Sequence, residues 1–149
     1  MELPNEIDIV LVYKYDQGDT ELFTERVSAV RDGDFYRLIH IPAFAPNLAI
    51  GDVVKVEFDG EYYFDELIEE SGNSTIHIVI FKPESKEYVA KQLTDFGCGV
   101  NIHVAENYIV VNVSPSIPYQ PVHDFLMSET EAGNIDFKES CLSKIHMSD

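Results

Sequence analysis

The chain has 149 residues, two of them cysteine, and carries 27 acidic against 10 basic side chains, a formal net charge of −17. Its length suits one ordinary domain or two small subdomains, and burial of roughly 68–70% of the unfolded surface at this size makes disulfides or a structural metal unnecessary. Two cysteines are too few for a secreted disulfide framework, no run nears the ~20 apolar residues of a membrane span, and so much negative charge disfavours direct binding to DNA or RNA.

The first residues, MELPNEIDIV, lack the basic and then apolar segments of a signal peptide, so a cytoplasmic protein is expected. Ile7, Ile9, Leu11, Tyr13 and Tyr15 alternate with Asp8, Val10, Val12 and Lys14, the period of two that makes a strand. YDQGDTE then turns the chain. Residues 24–30 form a second strand, RDGD a hairpin turn, and residues 35–41 a third strand that Pro42 ends, because proline cannot donate to a ladder. The stretch 42–52 reads as a corner. Val54, Val56 and Phe58 share one face of a fourth strand, and Asp59-Gly60 signals a two-residue hairpin into a fifth, residues 61–70. Five short strands at this spacing predict a small, bent β-barrel-like part over residues 1–73.

The period then changes. Residues 74–81, STIHIVIF, are nearly continuously apolar, as in a strand covered on both faces. Val89, Leu93 and Phe96 fall at i, i+4 and i+7 of a helix, with Gly97 as its C-terminal glycine. Two strands, 99–105 and 108–114, meet at a tight Glu-Asn turn. Prolines open a second helix through Val122, Phe125, Leu126 and Glu129 to Ala132-Gly133. Ile135 and Phe137 alternate with Asp136 and Lys138 in a last strand, and residues 143–149 are expected to fray. The order β-α-β-β-α-β is the ferredoxin-like pattern. The fold class is therefore α+β: a small bent β-barrel-like part, then a ferredoxin-like part over residues 74–149.

Reactive groups are sparse. No zinc, EF-hand or phosphate-loop motif is present, so no metal ligand and no cofactor is assigned. In the predicted sheet one strand separates those carrying His77 and His103, which argues against a shared metal. No G-x-S-x-G elbow occurs. Cys98 follows a helix C-terminus, whose partial negative charge raises rather than lowers a thiol pKa, and it reads as a packing residue.

What remains is acidity. Residues 1–75 hold 17 acids and five bases, against 10 and five in residues 76–149. Asp59, Glu61, Asp65, Glu66, Glu69 and Glu70 crowd the Asp-Gly hairpin and the fifth strand. Period two puts Asp65 and Glu69 on one side of that strand, Glu66 and Glu70 on the other. One use of such charge is to keep a strand edge from pairing with other chains. The functional use is docking of a basic protein, with Tyr63 as an amphipathic contact. These seven residues are the candidate partner-binding site. The corresponding expectation is a non-enzymatic immunity or inhibitor protein that neutralises a basic toxin such as a nuclease. The alternative is a small-ligand-sensing or regulatory module.

The runs YRLIHIPAFAPNLAIGDVVKVE and SGNSTIHIVIF resemble a bacterial family, domain-of-unknown-function family 4265, whose pattern is Tyr-x-Leu-x-x-Ile-Pro-Phe-Phe-Ala, then Gly-Asp-x-Val, then Ser-Gly-x-Ser-Thr before a strand. Ile41, Pro42, Phe44, Ala45, Gly51, Asp52, Val54, Ser71, Gly72, Ser74 and Thr75 match it. Ala43 stands where an aromatic is usual, and Pro46 interrupts the next loop. LTDFGCGV and YQPVHDFL are also similar, so the resemblance spans most of the chain. It implies the family and its fold, and brings no catalytic residue.

Overall fold

The alternation at Ile7, Ile9, Leu11 and Tyr13 becomes strand β1 (Glu6–Tyr13) in the computed structural model, which describes residues 3–14, 18 and 20–148. Those four side chains point into one hydrophobic core, while Asp8 and Val12 face solvent. Tyr15, Asp16, Gln17 and Asp19, where the turn is expected to begin, lie outside the described residues. Strands β2 (Phe23–Asp32), β3 (Phe35–Leu38), β4 (Val53–Phe58) and β5 (Tyr62–Glu69) complete a five-stranded sheet, each antiparallel to the one before. The sheet closes into a barrel because β1 also pairs with β5, in parallel, through Ile9–Tyr62 and Val10–Tyr63. Val27, Ala29, Tyr36, Leu38 and Val54 fill its interior, and the buried Tyr36 hydroxyl donates to the Pro4 carbonyl at 2.7 Å.

Two sequence expectations shift here. β3 ends at Leu38, three residues early, because the Leu38 carbonyl accepts the Gly51 N–H at 2.8 Å. That bond closes the corner before Pro42 is reached. The Asp59-Gly60 turn has three residues rather than two: Phe58 pairs with Tyr62, and Gly60 takes the positive φ, 78°.

Residues Gly72–Asp149 make a second unit, separate from Met1–Ser71. Its sheet has the order β7-β8-β6-β9 and is antiparallel throughout, from β6 (Ser74–Ile80), β7 (Gly99–Ala105), β8 (Tyr108–Val113) and β9 (Ile135–Cys141). As expected, β8 separates the strand of His77 from that of His103. Alternate residues Ile76, Ile78, Ile80, Ile109, Val111 and Val113 pack against α1 (Lys86–Asp95) and α2 (Tyr119–Glu131) through Val89, Leu93, Val122 and Leu126. Both helices stop as their glycines require. The Gly97 N–H bonds the Thr94 carbonyl and the Cys98 N–H that of Leu93, with Gly97 at φ 99°. Gly133 and Asn134 repeat the pattern on Thr130 and Glu129.

The C-terminal stretch is not frayed as far as Ser148; Asp149 lies outside the described residues. Lys144–Met147 form one helical turn, α3, and His146 is 3% exposed. Buried polar contacts described below hold it, and no hydrophobic period could announce them.

Candidate functional site

The acidic strand departs from simple alternation. Lys55 pairs with Glu66 but Val56 pairs with Phe64, so Asp65 is an extra residue; Val53 pairs with Glu69 but Val54 with Leu67, so Ile68 is another. The side chains of β5 packed on the barrel core are consequently Tyr62, Phe64 and Leu67, a spacing of two and then three. The expected division of the acids between two faces is overturned: Asp65, Glu66, Glu69 and Glu70 are all exposed. The physical reason is that each bulge adds one outward residue and so shifts the next inward position along the strand by one, from 66 to 67 at the first.

The remaining candidates lie at the hairpin end. Asp59 and Tyr63 line a shallow depression with Glu57 and Phe58, and Phe58 is 64% exposed. Glu61 is held apart from them by a 2.7 Å ion pair with Arg26, and Asp65 stands 3.8 Å from Lys55. The site thus divides into a hairpin tip and a run of carboxylates along the strand.

Sequence reasoning did not find the cleft beside that run. β1 and β5 pair over two residues and then part. Between them opens a cavity of about 420 Å³, lined by residues 11–14 of β1 and its continuation, 45–48 of the corner loop, and Phe64 and Leu67 of β5. Among the described residues, β5 beyond Tyr63 has a strand partner on one side only, β4. The corner loop is built as one wall of the cleft. The Glu25 carboxylate on β2 accepts three successive backbone N–H groups, from Ala43 at 2.5 Å, Phe44 at 3.0 Å and Ala45 at 2.9 Å. Asn47 takes φ 70°, a left-handed conformation that Asn tolerates better than most residues. Ala45 and Leu48 then drop into the barrel core. Asp52 fastens the far end, accepting the Ala49 N–H at 2.9 Å and the Ser71 N–H at 2.8 Å. Burial at 2% exposure raises its carboxyl above the ordinary range, although these two hydrogen bonds favour the charge. The one sequence signal for this wall was the Pro42–Gly51 corner itself.

A serine–histidine pair lies elsewhere. Ser74 Oγ is 2.5 Å from His146 Nδ1, while His146 Nε2 faces the carbonyls of Ser114 at 3.0 Å and Ile117 at 3.2 Å. Nε2 must therefore carry a proton, and in the neutral ring Nδ1 then accepts from the Ser74 and Ser143 hydroxyls. That is the arrangement of an activated nucleophile. Yet Ser74 is fully buried and its oxygen also accepts the Ser143 N–H at 2.9 Å. No substrate carbonyl can approach it, and the pair serves as the anchor of α3. The buried His77 is likewise occupied, with Ser140 Oγ 2.6 Å from its Nδ1. Burial lifts the Cys98 thiol to about 11, and the same cause raises the Tyr119 hydroxyl, which donates to Glu139 at 2.6 Å. Among the described residues, no three His, Cys, Asp or Glu side chains converge as metal ligands would, and no helix is long and apolar enough to cross a membrane.

Comparison with known proteins gives a family and a structural relative. The model of the family described as "Domain of unknown function (DUF4265)" matches residues 25–137. A crystal structure of a hypothetical protein from Neisseria gonorrhoeae is similar over 95% of this chain and 99% of its own, at 30% identity and a TM-score of 0.82. None of the curated proteins matches.

Proposed function

The chain belongs to the DUF4265 family, and we propose that it acts as a non-enzymatic binding module for a basic protein, with the carboxylates of β5 as the docking face. The observation that supports this is the exposure of Asp65, Glu66 and Glu69 together, a consequence of the two bulges, with Glu70 exposed just past the strand's end. An acidic face of this kind speeds encounter with a cationic partner and disfavours polyanions. In its most concrete form the protein is a cytosolic immunity or inhibitor protein that covers the positive groove of a toxin such as a nuclease. Asp59, Tyr63 and the exposed Phe58 extend the face at the hairpin tip, and Glu61 is held by Arg26. Co-production with the product of the adjacent reading frame tests this reading. Co-purification, protection of the producing cells, and loss of both in a Glu66→Lys, Glu69→Lys, Glu70→Lys variant are expected. A partnerless protein that gives no protection overturns it.

A second reading draws on the cleft and on the topology of the C-terminal unit. The order β7-β8-β6-β9 with its two helices supports a ferredoxin-like assignment, a fold that hosts ligand-sensing modules, though fold alone is a weak guide to function. A cavity of about 420 Å³ lies within the range of small-molecule sites. A thermal-shift screen across metabolites tests that reading, since a ligand of the native state raises the midpoint.

A further inference from the structure

The cleft and the acidic run lie on the same strand. Phe64 and Leu67 line the cleft, and Asp65 and Glu66, between them in sequence, face solvent. An extended segment lying along the unpaired side of β5 would therefore meet an apolar slot and carboxylates in alternation. We propose that the cleft between β1 and β5 receives an extended segment of the basic partner by strand addition, one apolar side chain entering the slot and the flanking Lys or Arg residues pairing with Asp65, Glu66 and Glu69. This rests on the binding-module reading above and names the element that the partner contributes.

Three features carry it. The slot is walled mostly by apolar side chains, among them Leu11, Leu48, Phe64 and Leu67, and its volume of about 420 Å³ admits an aromatic or leucine side chain. The open side of β5 offers main-chain groups of the kind that strand addition uses, where backbone bonds supply affinity and pockets for alternate side chains supply selectivity. Charge decides between occupants. Lys14 is the single cation among the described lining residues, on the β1 side, whereas every charged residue of β5 is acidic. A cationic segment is thus drawn to the β5 side and away from Lys14.

The probe is acetyl-Lys-Lys-Phe-Lys-Lys-amide with leucine, tyrosine and alanine replacing phenylalanine in turn, titrated by calorimetry against the full chain at low salt. Alanine is expected to bind about 10- to 100-fold more weakly than phenylalanine, the burial of one aromatic side chain. Val12 lines the cleft yet is 51% exposed, so Val12→Lys obstructs the slot without removing core, and it should abolish that difference. Glu66→Lys should weaken every peptide of the series, and Lys14→Ala should strengthen them. Equal binding of all four peptides, untouched by Val12→Lys, overturns the cleft while leaving the acidic docking face intact. Binding of none of them, together with the absence of a partner in the co-production experiment, removes both. Tighter binding of neutral or anionic probes such as anilinonaphthalene sulfonate, weakened by Lys14→Ala, overturns the proposal in favour of a small-ligand site.

Discussion

The Glu25 carboxylate accepts the Ala45 backbone N–H at 2.9 Å, and through this bond and two beside it a side chain on β2 fixes the loop that walls the cleft. Replacing Glu25 with alanine leaves three half-buried N–H groups without their acceptor. A loss of about 1–3 kcal/mol is expected in urea unfolding, since the loop can recover part of the bonding from water. Hydrogen exchange should accelerate at residues 43–45 before the rest of the barrel. Unchanged protection there would show that the loop holds itself.

Asp52 sets a pH dependence whose sign follows from its raised carboxyl pKa. The native state holds that proton more tightly than the unfolded chain, so this residue's contribution is full below the ordinary carboxylate value. It is lost as pH rises through the raised value. Asparagine in its place has one oxygen for two N–H donors and is expected to cost about 1–3 kcal/mol in acid. The deficit of Asp52→Asn relative to the parent should shrink as pH increases from 3.5 to 7. A deficit that widens over that range contradicts the raised pKa.

Cys98 should behave as a packing residue. With its thiol lifted to about 11, about one molecule in a thousand carries the thiolate at pH 8, and the side chain is 6% exposed. Iodoacetamide at that pH is expected to label the half-buried Cys141 first and Cys98 only on unfolding. The reverse order would reopen a cysteine chemistry at this position.

Ser74 and His146 should prove structural. A fluorophosphonate that modifies activated serines is expected to leave the buried Ser74 untouched. His146→Ala removes the partner of two carbonyls and two hydroxyls and leaves a void, a cost of about 2–4 kcal/mol. Proteolysis should then begin near α3. Covalent labelling of Ser74 in the folded protein is the result that would restore a catalytic reading.

Much of the architecture was legible because it rests on local periods. Ile7, Ile9, Leu11 and Tyr13 alternate and enter one core. Val89 and Leu93 repeat at helical spacing and are fully buried. Gly97 and Gly133 stop helices because each must adopt a positive φ to close the last turn. The seven candidate residues were legible as an acidic run, but their arrangement was not. Glu66 would point inward by strict alternation, and the extra residue Asp65 turns it out.

By itself, then, the sequence determined the order of the strands and of α1 and α2, the core-facing residues of most elements and the concentration of charge around β5, because each depends on neighbours within a few positions. Only the tertiary structure decided where β5 bulges and how β1 parts from it after Val10 to open a cleft. It alone decided that Glu25 braces a loop 18 to 20 residues away and that His146 meets Ser74 across 72. Such contacts arise from barrel closure and from the satisfaction of buried polar groups, which act between segments brought together by folding and leave no period in the chain.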